Sequence, residues 1–187
     1  TMNPSADDIA HACDKINATD IFVFPNNKNI ILAAEQAKEI CKRSIHVVPT
    51  VNVPQGLSAV LAFNPQDTVE DNLENMEEAR SAVKVGSVTF AVRKTSIDGF
   101  DLNEGDIIGL SDKSIIAKGD DPEAVAEEIA DKLMTDDVST ITLYYGYKTK
   151  EDAAQALTEK IAEKYPDCDV DVHNGGQALY YYIIALE

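Results

Sequence analysis

The sequence predicts an α/β protein in two lobes, a small parallel-sheet lobe followed by a second α/β lobe with a mixed sheet. Three observations carry this. Helical and strand periodicities interleave from end to end. The first lobe, residues 1–66, reads β-α-β-α after an opening helix, an order that favours a parallel sheet. A turn cluster, Asn64-Pro65-Gln66-Asp67, then precedes an acidic helix within 67–83, read as a connection, and the second lobe occupies 84–187.

In the first lobe, Ile9, Ala12, Cys13 and Ile16 share a helical face, with Ser5 as N-cap and Asp7 and Asp8 in the first turn. Ile21 to Phe24 is an apolar run suited to a strand buried on both faces. Pro25 and Asn26-Asn27 stop it, and Asn29 reads as the cap of a helix turning Ile30, Ala33, Ala34, Ala37, Ile40 and Cys41 inward. Ile45 to Val48 is a strand ended by Pro49, and Pro54-Gln55-Gly56 leads into a short helix carrying Leu57, Val60 and Leu61. Thr68 to Asp71 has capping-box spacing, and Val69, Leu73, Met76 and Val83 form the inward stripe of the helix it opens.

In the second lobe, Val88, Phe90 and Val92 alternate with Thr89, Ala91 and Arg93, the period of a half-buried strand. Asp98-Gly99 and Glu104-Gly105 mark turns, and a hairpin is expected around Ser111-Asp112-Lys113. Asp121-Pro122 places a cap and a first-position proline before a helix burying Val125, Ile129 and Leu133. A strand over Thr140 to Tyr145, a helix over Glu151 to Lys164, a short strand with Val170 and Val172, and a strand over Leu179 to Leu186 complete the chain.

Composition narrows the function. The formal net charge is −17, from 16 basic and 33 acidic residues. Binding to nucleic acid or to anionic lipid needs a clustered basic surface, so both are disfavoured. No apolar run approaches the roughly 20 residues of a membrane span, and no leader marks the chain for export. Three scattered cysteines without a CxxC pair fit a reducing compartment, so a cytoplasmic location is expected and no metal site is read. Phosphate-loop, dinucleotide-binding, zinc-protease and serine-hydrolase motifs do not occur. No catalytic residue is identified, and no cofactor is expected in this chain.

Two segments are candidates for binding. Asn26-Asn27-Lys28-Asn29 lies where a strand gives way to a helix, the usual ligand position in an open parallel sheet; turn and capping chemistry accounts for it equally. His173-Asn174-Gly175-Gly176-Gln177 is a glycine turn that would let backbone approach a partner, or would simply join a hairpin.

The run from Thr19 to Ala37 resembles the C-terminal region of FakA-type proteins, the large subunits of bacterial fatty acid kinase, once grouped as dihydroxyacetone-kinase-like. Further matches follow in the family's order: Val48-Pro49-Thr50, Pro54-Gln55-Gly56, Val88 to Arg93, Thr142 to Gly146, and Gly175-Gly176-Gln177 before Leu179-Tyr180. Lys94 departs from the acidic residue often found there. The resemblance implies a DegV-like fold for a non-catalytic part of a larger ATP-dependent kinase. ATP and magnesium are then expected in a DhaL-like N-terminal domain absent from this sequence. It also implies that Thr1 lies inside a DegV-like segment, so that the first lobe is truncated at its start. The partners implied are a DegV-type fatty-acid-binding protein and the other domains of the same polypeptide. Asn27, Asn29, Gln55, Arg93, His173 and Gln177, all at motif positions, are the candidate contacts. Thr1-Met2-Asn3-Pro4-Ser5 resembles the DegV stretch that helps hold a lipid carboxylate. Asn27-Lys28-Asn29, however, stands where those proteins carry Ser-Gly-Thr, so the fold is expected without the lipid site. The alternative is a module that still holds a fatty acid between its lobes.

Overall fold

Each run of apolar residues has to be covered on the faces it presents, and the layers follow from that. The computed structural model describes residues 3–111 and 114–187, which divide into two compact units, 1–83 and 84–187. Thr1, Met2, Asp112 and Lys113 lie outside the described residues, and with them part of the lipid-carboxylate resemblance and the tip of the expected 111–113 hairpin.

The first unit is built on two parallel strands, β1 (Asp20–Val23) and β2 (Ser44–Val47). Helices α1 (Ala6–Asp14) and α2 (Lys28–Ile40) cover the face of Ile21 and Ile45, burying Ala10, Cys13, Ala34 and Ala37 against them. Helices α3 (Val53–Leu61) and α4 (Val69–Ala82) cover the other face, where Val48, Ala59 and Met76 meet Phe22 and Phe24. The helix expected as a connection therefore packs on α3 within this unit.

Local signals set the helix ends. Ser5 caps α1 in a reciprocal capping box with Asp8. For α2 the cap is Asn27 rather than Asn29, because the Asn27 side chain accepts the Asn29 N–H at 2.9 Å. In α3 the expected apolar residues face outward: Leu57 is 45%, Val60 50% and Leu61 84% exposed. Pro54, Gly56 and Ala59 are buried instead, since small residues let the helix lie close to its neighbours. Asn72 of α4 is buried, with its amide bonded to the backbone of Asn64 and Thr68, which satisfies a polar group that would otherwise be costly.

The second unit is a six-stranded mixed sheet in the order β7 (Ser114–Gly119), β6 (Ile107–Ser111), β3 (Lys84–Phe90), β10 (Tyr182–Leu186), β8 (Thr140–Tyr145), β9 (Asp169–Asn174). β8 and β9 pair in parallel, and the other neighbouring strands of the sheet pair antiparallel. Helices α5 (Pro122–Leu133) and α6 (Glu151–Lys164) share a core with one face, where Ile129 and Ile161 pack among Val88, Leu143, Ile184 and Leu186. A hairpin of β4 (Thr95–Ile97) and β5 (Phe100–Leu102) turns on Asp98 (φ 54°) and Gly99 (φ 81°). Its Leu102 joins Ala91, Ile108 and Ile115 in a separate cluster.

Two expectations are corrected here. Val92 does not lie on a buried strand face: it is 75% exposed, because β3 ends at Phe90 and the chain leaves for the β4–β5 hairpin. The His173–Gln177 turn does not close a hairpin, because β10 inserts between β3 and β8 rather than beside β9. β10 accordingly begins at Tyr182, not Leu179.

The charged faces of α5 and α6 are laced together. Lys160 pairs with Glu127 at 2.5 Å, and Lys164 and the Tyr165 hydroxyl meet Asp131 at 2.6 and 2.5 Å. Burial and the Asp131 carboxylate push the Tyr165 hydroxyl up to about 12. Glu123 accepts the hydroxyl of the fully buried Tyr182 at 2.8 Å. Burial, aided by neighbouring Asp121, raises the Glu123 carboxyl. No helix among the described residues is long and apolar enough to cross a membrane.

Two outcomes follow. Alanine at Gly86 would place a Cβ 2.2 Å from Ile129 Cγ2, so Gly86→Ala should cost about 1–3 kcal/mol in urea unfolding. Glu123 binds protons more readily folded than unfolded, so its contribution to stability falls as pH rises from its ordinary value of 4.5 through the raised one. The stability of Glu123→Gln relative to the parent should therefore increase between pH 4.5 and 7, measured by denaturant titration at each pH.

Candidate functional site

The carboxyl ends of parallel strands are where open α/β sheets bind ligands, and the motif positions gather at two such ends, one in each unit. At the head of β1 and β2, Asn26 takes a left-handed conformation (φ 52°), which asparagine tolerates better than most residues. Its N–H donates to Thr50 Oγ1 at 3.0 Å, and the Thr50 hydroxyl donates back to Asn26 Oδ1 at 2.8 Å. Thr50 is fully buried. The Asn26 amide lies directly over Gly56 of α3, so close that a Cβ there would sit 2.1 Å from Oδ1. The crevice between the strand ends and α3 is thus filled by the protein's own amide.

Three of the candidate contacts surround this arrangement. Asn27 spends its side-chain acceptor capping α2, and Asn29 supplies the N–H it takes. Gln55 donates its N–H to the Asn52 cap of α3 at 3.0 Å, and its Oε1 accepts the Val51 N–H at 3.0 Å. Asn29 is exposed, whereas Asn27 and Gln55 are half-buried.

In the second unit, the loop after β8 and the segment before β10 are laid on one another. Tyr147 N–H donates to the Gln177 carbonyl at 3.2 Å, Gly146 N–H to that of Tyr181 at 2.8 Å, and the Thr89 hydroxyl to that of Leu179 at 2.7 Å. Gly146 is required, because a Cβ would lie 2.1 Å from the Tyr180 carbonyl oxygen. Gln177 donates from Nε2 to the Tyr144 carbonyl at 2.7 Å, and the exposed His173 ring leans on the Tyr144 ring at 5.8 Å. Burial raises the Tyr144 hydroxyl. Lys148 Nζ stands 4.7 Å over the Phe90 ring, and Arg93 projects into solvent three residues further on.

The structure therefore joins His173 and Gln177 through Tyr144 and puts Arg93 at the same end of the sheet. Asn27, Asn29 and Gln55 gather in the other unit. Sequence reasoning passed over the Asn26–Thr50–Gly56 lock, although Asn26 and Thr50 sit in short segments between a strand and a helix and Gly56 in the first turn of α3. It also missed Tyr147 and Lys148, whose only signal was the Gly146 that precedes them. Among the described residues, no group of three or more His, Cys, Asp or Glu side chains converges as a metal site.

A helix-flanked parallel pair joined to a six-stranded mixed sheet is a DegV-like architecture, and the solved structures agree. The Streptococcus pneumoniae fatty acid kinase (Fak) B3 protein, loaded with linoleic acid, superposes with a TM-score of 0.70 at 15% identity, over 98% of this chain and 76% of that one. A fatty-acid-binding DegV family protein from Thermus thermophilus gives 0.65 at 17% identity, over 99% and 78%. At such identities the likeness is one of fold. The model of the FakA-like C-terminal family, named for the A subunit of fatty acid kinase, matches residues 1–187, and the chain belongs to that family. It is 41% identical over 187 residues to the Bacillus subtilis protein YloV and 35% identical to an uncharacterised protein of Staphylococcus haemolyticus. All of this chain is covered but only 34% of either relative, so the chain spans about a third of their length.

Removing the Thr50 hydroxyl without changing its shape should expose the lock. Thr50→Val leaves the Asn26 N–H and amide oxygen without their partner, at a cost of about 1–3 kcal/mol. Urea unfolding should register the loss, and hydrogen exchange should place it in residues 24–56.

Proposed function

We propose that this chain docks a DegV-type, fatty-acid-carrying protein for a fatty acid kinase, and that it transfers no phosphate itself. The observation that carries the reading is the filled crevice of the first unit. A chain with the fold of lipid-binding DegV proteins, in the FakA-like family along its whole length, has Asn26 seated over Gly56 at the strand ends. A shared architecture whose ligand position is occupied by protein is suited to recognising a surface rather than to enclosing a small molecule. In this reading ATP and magnesium are held by another domain of the same polypeptide. The acyl carboxylate is brought to them by the partner, in the cytoplasm.

The candidate contacts divide by what their side chains are free to do. Arg93, His173 and Asn29 are exposed. Asn27, Gln55 and Gln177 are tied to backbone groups and shape the surface rather than reach from it.

Calorimetry of this chain against the lipid-loaded DegV-type protein of the same organism tests the proposal. Saturable binding is expected, weakened about 5- to 30-fold by Arg93→Ala or by His173→Ala, the range of a contributing interface residue. Unchanged affinity would remove those two residues from the interface. A fatty acid recovered by mass spectrometry from the purified chain, with no binding to the carrier, would favour a lipid-holding module instead.

A further inference from the structure

Charge in the second unit is not evenly spread. Segments 90–95, 146–150 and 174–182 hold Arg93, Lys94, Lys148 and Lys150 and not one Asp or Glu, in a chain of net charge −17. Elsewhere in the unit the described lysines are paired: Lys84 with Asp137 at 3.3 Å, Lys118 with Asp106 at 2.7 Å, Lys132 with Glu128 at 2.5 Å, and Lys160 and Lys164 with the α5 acids. Among the described residues, no carboxylate lies within ion-pair distance of Arg93, Lys94, Lys148 or Lys150, and all four are exposed.

The three segments form one surface. The hydrogen bonds from Gly146, Tyr147 and Thr89 fasten the loops together, and Lys148 stacks on Phe90. Arg93 follows Phe90 by three residues, a reach of at most ~10 Å along the chain. Large apolar side chains stand among the cations, with Val92 75%, Tyr147 66% and Leu179 56% exposed. Aromatic and apolar anchors beside unpaired cations are the composition of an interface core with a charged rim. Lys150 also breaks a local rule. It occupies the N-cap of α6 without a side-chain cap bond, where a cation meets the positive end of the helix.

Resting on the docking reading above, we infer that this cationic, aromatic end of the second unit is the docking face and that it meets an acidic, partly apolar surface of the DegV-type protein. Two other occupants fit less well. A second copy bound about a twofold axis through this face would set the four cations against themselves. A small anion would be held best in an enclosing pocket, and two cavities, of about 430 and 410 Å³, lie elsewhere, one lined by Asp7, His11 and Asp14, the other by Asp121, Glu123 and Lys160.

The test uses the complete kinase polypeptide with its lipid-loaded DegV-type partner. Lys148→Glu/Lys150→Glu should weaken binding at least about 30-fold at physiological salt, and should flatten the fall of affinity with added salt. Arg93→Glu/Lys94→Glu, which disturbs no stacked side chain, should do the same. Glu74→Lys/Glu78→Lys on α4 should change affinity less than about 3-fold, the usual effect of a charge outside the contact. Circular dichroism and the thermal midpoint check that each variant is folded. Tight binding by the parent and by both reversal pairs would overturn the face while leaving the docking reading standing. No binding by the parent would overturn both. Displacement of the partner by micromolar inorganic pyrophosphate would make the patch a small-anion site and overturn the protein-surface assignment.

Discussion

The second unit depends on how closely α5 can approach the sheet. Ile129 sits in a slot made by two glycines on adjacent strands: a Cβ at Gly86 would meet its Cγ2 at 2.2 Å, and one at Gly109 its Cδ1 at 2.8 Å. Any side chain at either position would lift the helix and open a gap along Val88, Ile184 and Leu186, which share that core. Close packing leaves little room for such a shift. With α5 seated, Glu123 in its first turn reaches the buried Tyr182 hydroxyl and pins the start of β10. That strand start in turn holds the 177–181 segment against Gly146 and Thr89. The placement of the exposed loops therefore traces back to two missing side chains under one isoleucine.

Features governed by neighbours in sequence were legible, and features governed by distant neighbours were not. Ser5 and Asp121-Pro122 announce their helices because a cap acts within three residues. The alternation of Ile141, Leu143 and Tyr145 announces β8 because each strand residue points to the face opposite the last. The strand order was invisible. β10 slots between β3 and β8, and nothing within 175–181 distinguishes that crossover from a glycine hairpin. The α3 stripe misled for a related reason: Leu57, Val60 and Leu61 have helical spacing, yet the side that packs is the one with Gly56 and Ala59, where close approach outweighs side-chain area. Gly56 in turn is dictated by Asn26, thirty residues away.

The candidate site was legible in kind rather than in detail. Motif positions led to strand-end loops in each unit, the places where backbone is free to bind. Sequence could not separate side chains that reach out from those that hold the loop. Gln55 and Gln177 look alike as exposed amides in a polar segment, and both turn back onto backbone, to Val51 and to the Tyr144 carbonyl. Lys148 looked like one lysine among many. Its position over Phe90, clear of carboxylates, is a property of three segments brought together.

The charge pattern has a physical consequence beyond any single contact. A chain of net charge −17 repels an acidic protein at long range. At physiological salt that repulsion is screened over about 8 Å, so at close range the local surface decides. An acidic partner approaching α4, with Glu70, Glu74, Glu77 and Glu78 exposed, meets like charge at contact. The same partner approaching Arg93, Lys94, Lys148 and Lys150 meets four exposed cations with Val92, Tyr147 and Leu179 among them, and acids only at the border, at Glu104, Glu151 and Asp152. Overall acidity and this cation-bearing end together favour approach of an acidic surface here over approach at α4.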